Sequence, residues 1–253
     1  MPMREELVFG VNPVREALRG KREIFGLYVQ STATDHRLDK ILELARERGV
    51  RVIRREREDL TRMCGSSHHQ GMALKVAPFS YADLDDLIEA GDREDAAGFL
   101  LVLDGIQDPH NLGALIRTAA CAGASGVVIP RDRACAITPA AEKASAGAVE
   151  TITVAQVTNI AQSLEKLKRS GYWVYGLSGE ADASLYEVAF SGKIALVIGG
   201  EGEGIRPLVR KQCDALVSIP LYGGVGSLNA SVAGGIALYE VARCLRGEKP
   251  GRS

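Results

Sequence analysis

Two stretches of this chain, Phe99-Leu-Leu-Val-Leu103 and Ile194-Ala-Leu-Val-Ile198, are apolar at every position. A strand with one face in water alternates polar and apolar residues. An unbroken apolar run of this length fits a strand covered on both faces, as in a parallel sheet flanked by helices. The surrounding segments supply those helices. Residues 112–122, 138–146 (opening on Thr138-Pro139), 160–168, 205–213 and 228–245 read as helical, and 126–129, 172–177 and 215–219 as further strands. Strands alternating with helices predict an α/β domain built on a mostly parallel sheet. The first 77 residues alternate in the same way on a smaller scale. Asn12 reads as a cap with Pro13 at the first helical position, and the helix stops near Gly20. Strands over 24–29, 50–53 and 71–76 and helices over 38–45 and 59–64 complete a small three-layer α/β domain.

Charge divides the chain the same way. The net charge of −1 excludes a uniformly basic nucleic-acid coat, but it is unevenly spread. Residues 1–77 carry +4, residues 78–95 carry −6 and residues 96–253 carry +1. A basic front, an acidic bridge and a neutral back predict a domain over 1–77, a linker over 78–95 and a second domain over 96–253, with polyanion contacts biased to the front. The linker holds Pro78, Gly91 and a run of carboxylates from Asp83 to Asp95, with Leu84, Leu87 and Ile88 at the spacing of a short helix. The tail 247–253 reads as frayed. No run of 18 apolar residues predicts a membrane span, and the opening Met1-Pro2-Met3-Arg4-Glu5-Glu6 has no apolar leader, so a cytoplasmic protein is expected. Cys64, Cys121, Cys135, Cys213 and Cys244 are odd in number and scattered, which predicts reduced thiols and no metal site.

Ligands of an open parallel sheet bind beyond the carboxyl ends of its strands, and three loops there are unusual. The first runs from Asp104 through Asp108-Pro109-His110-Asn111 to Gly113 and leads into a helix carrying Arg117, six residues after Asn111. The second is Gly199-Gly200-Glu201-Gly202-Glu203-Gly204, and the third runs from Pro220 through Gly223-Gly224-Val-Gly226 to Ser227-Leu228-Asn229. The second loop fails the dinucleotide fingerprint: the third glycine position falls on Ile205 counting from Gly200 and on Pro207 counting from Gly202. A nicotinamide-dependent oxidoreductase is therefore disfavoured, and no P-loop is present. A guanidinium at Arg117 is placed to hold a phosphate or a developing alkoxide, and the same placement suits a surface arginine in an ion pair. Asn111 reads as a helix N-cap, with or without a ligand role. Glu201 is placed to accept from a ligand or to pin neighbouring loops, and Ser227 and Asn229 suit caps of the last helix. His110 is a loop histidine beside Pro109, and His68-His69-Gln70 is either an RNA contact or a polar turn before a strand.

At these loops the sequence resembles the SpoU-type (TrmH-like) RNA ribose 2′-O-methyltransferases of the SPOUT class. The matching segments are Asn111-Leu-Gly113-Ala-Leu-Ile-Arg117, Leu196-Val-Ile-Gly199-Gly200-Glu201-Gly202-Glu203-Gly204, and Ile219-Pro220 with Ser227-Leu228-Asn229-Ala230. The front, with Gly10-Val11-Asn12-Pro13-Val14-Arg15-Glu16-Ala17-Leu18 and His69-Gln70-Gly71, looks like the ribosomal-protein-like (L30e-type) RNA-binding domain of the subgroup that methylates a guanosine of 23S rRNA. One departure is Gly200, where relatives usually carry Ala or Ser, which is expected to loosen the loop slightly. The resemblance implies an α/β trefoil-knot domain behind an L30e-like domain. It implies S-adenosylmethionine as cofactor, held at Gly199, Gly200, Ile219 and Leu228. Arg117, Asn111, Glu201, Ser227 and Asn229 become the catalytic set, with Arg117 positioning the ribose hydroxyl, because a guanidinium stays protonated and makes a poor base. A homodimer is implied, with the final helix and the first-motif helix at its interface; the small-residue face Ala230, Ala233, Gly234 and Ala237 suits close helix packing. The alternatives are a tRNA ribose methyltransferase and a non-catalytic rRNA-binding assembly factor.

Overall fold

The structure, a computed structural model, describes residues 5–32, 36–92 and 98–247. The opening residues 1–4, the acidic Glu94 and Asp95 and the tail beyond Gly247 lie outside the described residues. The chain divides into two compact units, one formed by Met1–Ser80 with Ile137–Thr151, the other by Tyr81–Ala136 with Ile152–Ser253.

In the front unit, strands β1 (Glu6–Phe9), β2 (Ile24–Gln30), β3 (Val52–Arg55) and β4 (Met72–Val76) form one sheet in the order β1-β4-β2-β3. β4 runs antiparallel to β1 and β2, while β2 and β3 are parallel. Alternation along β4 sends Met72, Leu74 and Val76 into a core shared with Val14, Ala17 and Leu18 of α1 (Val11–Arg19) and Leu38, Ile41 and Ala45 of α2 (His36–Glu47). Ala73, on the opposite face, is buried too, and α3 (Arg57–Cys64) touches β1, β2 and β4. α1 starts one residue before the expected cap. Gly10, not Asn12, is its N-cap, and the Gln70 side chain replaces the missing cap by accepting from the Val11 N–H at 2.8 Å.

The segment 137–151, which the charge pattern assigns to the back domain, clusters with the front unit. It carries a short helix, α6 (Pro139–Ala144), and a 3₁₀ turn over Ala148–Glu150. Arg22 explains the attachment. Its Nη1 donates to Glu142 Oε1 at 2.6 Å and to Glu150 Oε1 at 2.9 Å, and its Nη2 donates to Glu6 Oε2 at 2.8 Å. Nε and Nη2 also donate to the Ala77 carbonyl. The side chains of Arg22, Glu142 and Glu150 are 8%, 4% and 5% exposed, so one buried cation faces three carboxylates, two of them buried. Glu142 Oε2 is buried with no hydrogen-bond partner. Burial pushes the Glu142 carboxyl up to about 7 against the pull of Arg22, and the charges of Glu150 and Glu6 push the same way as burial.

In the back unit, β5 (Phe99–Asp104), β6 (Gly126–Pro130), β7 (Thr153–Val157), β8 (Trp173–Leu177), β9 (Ile194–Gly199) and β10 (Ala215–Val217) form an all-parallel sheet in the order β10-β8-β9-β5-β6-β7. β5 and β9 lie side by side at its centre and are buried at every position. The acidic stretch is more than a linker. α4 (Leu84–Gly91) starts on a capping box between Asp83 and Asp86 and places Leu84, Leu87 and Ile88 in the core with Val128, Ala155 and Ile160. α5 (Pro109–Ala122) packs against α9 (Ala230–Leu245), and α7 (Ile160–Arg169) buries Ile160, Leu164 and Leu167. Of the helix expected over 205–213 only α8 (Pro207–Arg210) forms, because Arg206 is extended and its N–H donates to Asp104 Oδ2 at 2.8 Å. The small face of α9 is used within the chain. A side chain at Gly234 would overlap Leu115 of α5 and Ile198 of β9, and Ala237 is buried. The faces left to solvent carry Val232 and Tyr239.

Candidate functional site

The carboxyl ends of β8, β9 and β10 open onto one cavity of about 550 Å³. Leu177 to Glu180 follow β8, Gly199 to Ile205 follow β9, Ile219, Leu221 and Gly226 to Asn229 follow β10, and Ala230 and Ala233 come from the first turn of α9. The volume falls in the range of small-molecule sites. Its wall mixes apolar side chains (Ile198, Ile219, Leu228) with four charged ones: Glu180, Glu201, Glu203 and Arg210. Arg210 is paired with Glu180 at 2.8 Å, so the balance is acidic.

The glycines after β9 have a steric reason. A Cβ at Gly199 would overlap the carbonyl group of Gly204, and one at Gly200 would overlap the carbonyl oxygen of Gly105. Gly200 therefore does not loosen the loop. It lets the backbone after β9 meet the backbone after β5, and the Gly200 N–H donates to the Asp104 carbonyl at 3.0 Å. The same two loops are clamped by a pair that sequence spacing does not reveal. Asp104 is buried, and its carboxylate accepts from the Arg206 N–H at 2.8 Å, from Arg206 Nε at 2.7 Å and from Arg206 Nη2. The only trace of this in the sequence is a carboxylate directly after an apolar strand.

Seven of the nine expected residues line the cavity: Gly199, Gly200, Glu201, Ile219, Ser227, Leu228 and Asn229. Asn111 reaches it through Glu201, whose Oε1 accepts from Asn111 Nδ2. Asn111 is not the cap of α5. Asp108 is, accepting from the His110 N–H at 3.0 Å with Pro109 at the first helical position, and Asn111 is left buried in the first turn and free to cross to Glu201. Asn229 does cap α9: its Oδ1 accepts from the Ser231 N–H at 2.9 Å, from Ser231 Oγ at 2.6 Å and from the Val232 N–H at 3.3 Å. Its Nδ2 remains a donor beside the cavity. Arg117 stands apart, exposed on α5, with no hydrogen bond or ion pair among the described residues. Among those residues no cluster of three metal-ligating side chains occurs, and no helix is long and apolar enough to cross a membrane.

The family model described as the SpoU rRNA methylase family matches residues 98–239. The chain belongs to the SpoU rRNA methylase family. A second model, described as RNA 2′-O ribose methyltransferase substrate binding, matches residues 7–82, so this SpoU protein has a substrate-binding domain ahead of its methylase domain. It is 43% identical over 242 residues to the 23S rRNA (guanosine-2′-O-)-methyltransferase RlmB of Ralstonia nicotianae, covering 95% of this chain and 96% of that one. It is 41% identical over 247 residues to RlmB of Xanthomonas campestris, covering 96% and 98%. The SpoU methyltransferase AviRb from Streptomyces viridochromogenes, solved in complex with AdoMet, superposes with a TM-score of 0.78 at 25% identity, covering 94% of this chain and 90% of that one.

Proposed function

We propose that this SpoU protein transfers a methyl group from S-adenosylmethionine to the ribose 2′-OH of a guanosine in 23S rRNA. The observation that carries the reading is the cavity beyond β8, β9 and β10, in a chain that aligns nearly end to end with RlmB enzymes. The cavity fits the cofactor: its volume suits a nucleoside with an amino-acid tail, its net acidic wall suits a sulfonium, and a Cβ at Gly199 would disturb its cradle.

Gly199, Gly200, Ile219 and Leu228 would hold the cofactor, with the Asp104–Arg206 clamp keeping the loop after β9 in shape. When bound, S-adenosylmethionine supplies an electrophilic methyl group. Arg117, which stands apart from its own chain's cavity, would act from the dimer face of α5, positioning the ribose hydroxyl and stabilising the charge that develops on its oxygen as the proton leaves. It does so as a fixed cation, because a guanidinium is not deprotonated in proteins. Glu201 orients Asn111, and Ser227 and the Nδ2 of Asn229 complete the polar rim. The front unit, the basic part of the sequence, grips RNA phosphates. We also assign the chain to the cytoplasm, to a homodimer using the solvent faces of α5 and α9, and to the trefoil-knotted fold of the SPOUT class. Val232 and Tyr239 exposed on α9 support the dimer.

Tritium transfer from labelled S-adenosylmethionine to 23S rRNA and to tRNA, followed by mapping of the methylated ribose, tests the reading. Label on one 23S guanosine is expected, with at least a hundredfold loss in Arg117→Ala at unchanged cofactor affinity. Label confined to tRNA, or no label on either RNA, overturns it. Light scattering of the purified chain decides the dimer.

A further inference from the structure

The front unit holds a cavity of its own, of about 400 Å³, lined by Val11, Asn12, Arg15, Lys40, Ile41 and Gln70. Val11 and the buried Ile41 supply apolar surface, Asn12 and Gln70 supply amides, and Arg15 and Lys40 supply positive charge. The polar groups are largely unused. Neither the Lys40 ammonium nor the Asn12 amide has a hydrogen bond or ion pair among the described residues. Arg15 donates through Nε to Glu16 at 2.8 Å, and among the described residues its two Nη groups have no partner.

Gln70 is held in place. Its backbone sits at φ 52°, in the left-handed region that residues with a side chain seldom adopt, and its Oε1 accepts from the Val11 N–H. His69 pins the turn. It is buried, its Nδ1 accepts from the Gly71 N–H at 3.1 Å, and its Nε2 lies 3.1 Å from Thr61 Oγ1, whose hydroxyl donates to the Arg57 carbonyl. That pattern fixes a neutral imidazole with the proton on Nε2, and burial beside Arg57 holds its pKa below the usual histidine value. Of the two readings of His68-His69-Gln70, His69 takes the structural one, and Gln70 keeps an NH₂ group free to donate at the cavity.

We propose that this cavity seats one unpaired nucleotide of the RNA substrate, its base edge read by the amides of Asn12 and Gln70 and its phosphate held by Arg15 and Lys40. The inference rests on the RNA methyltransferase reading and deepens it. An amide offers a donor and an acceptor side by side, the complement of a base edge. Val11 and Ile41 give the base an apolar surface. Proteins that read RNA sequence do so mainly on splayed-out single-stranded bases, whose edges and faces are both available, whereas a purely electrostatic surface would need no concave volume and no fixed amide.

The test titrates full-length wild type, Asn12→Ala, an Arg15→Ala/Lys40→Ala double variant and Lys21→Ala by fluorescence anisotropy. Lys21 is an exposed lysine that does not line the cavity. The probes are a fluorescein-labelled single-stranded RNA decamer of mixed sequence and the same decamer in duplex. The double variant is expected to bind the single strand about tenfold more weakly, with the slope of log K against log salt reduced by about 1–2. Asn12→Ala should weaken single-strand binding about threefold to tenfold at unchanged slope, leave the duplex alone and raise KM for rRNA without changing cofactor affinity. Lys21→Ala should stay within twofold of wild type. Equal losses in the double variant and Lys21→Ala, or an Asn12→Ala curve that overlays wild type, overturn the proposal. Methyl transfer by the same wild-type preparation is scored separately, so failure of the pocket and failure of the methyltransferase reading are told apart.

Discussion

Glu142 should make the front unit less stable as the solution turns alkaline. The carboxyl lies about 2.5 pH units above its ordinary value of 4.5, because it is buried beside Glu150 and Glu6 with one arginine to share. Below pH 4.5 the folded and unfolded chains both carry the proton. Between pH 4.5 and 7 the unfolded chain releases it while the folded chain keeps it, so stability falls as pH rises; above 7 both have lost it and the fall is complete. At 1.36 kcal/mol per unit the site forfeits about 3 kcal/mol across that window. Glu142→Gln mimics the protonated acid at every pH. The variant should match wild type at pH 4 and gain on it by about 3 kcal/mol at pH 8, or about 6–12 °C in Tm for a chain of this length. Melts and amide exchange of residues 138–151, run on both proteins from pH 4 to 8.5, measure the difference. Parallel pH profiles, or a variant that loses ground as pH rises, would refute the buried-proton account.

Other consequences are simpler to state. Gly199→Ala should cost about 1–3 kcal/mol through overpacking and remove calorimetric binding of S-adenosylmethionine, since its Cβ has no room beside Gly204. Asp104→Asn should cost about 1–3 kcal/mol by leaving Arg206 without its charged partner and weaken cofactor binding about tenfold; unchanged affinity would show that the clamp does not shape the loop. Asn229→Ala should lower stability by about 1 kcal/mol as α9 loses its cap. Burial, with Asp214 adding to it, pushes the Cys213 thiol up to about 11, so a thiol-disulfide reagent at pH 8 should modify exposed Cys121 first and reach Cys213 only after unfolding.

What the sequence reveals and what it hides follows from the range of the forces involved. β5 and β9 are legible because both faces are buried, which leaves a continuous apolar run. β1 and β7 leave a weaker trace, four and five residues long, β1 opening on Glu6 and β7 interrupted by Gln156. The helix expected over 205–213 is cut short by a hydrogen bond to Asp104, 102 residues away, which no local window contains. The loops after β9 and β10 are legible through their glycines, and Glu201, Glu203, Ser227 and Asn229 in them line one cavity, while the loop after β5 does not line it. Asn111 is the instructive miss. Its residue type suits a cap, yet Asp108-Pro109 fills that role and releases Asn111 for Glu201. The charge pattern marks a linker over 78–95, whereas the contacts divide the chain after Ser80 and return 137–151 to the front unit, because Arg22 finds Glu142 and Glu150 more than a hundred residues downstream.

That return sets an order on the ribosome. When residue 80 leaves the exit tunnel, every strand of the front sheet has been made, but of its partners Arg22 has Glu6, the Ala77 carbonyl and the Phe79 ring and neither Glu142 nor Glu150. Its remaining partners arrive about 70 residues later, a delay of several seconds at about 5–20 residues per second. During that interval the front unit waits with a half-answered guanidinium, and synthesis of β5 and β6 must finish before the older domain can close its own interior.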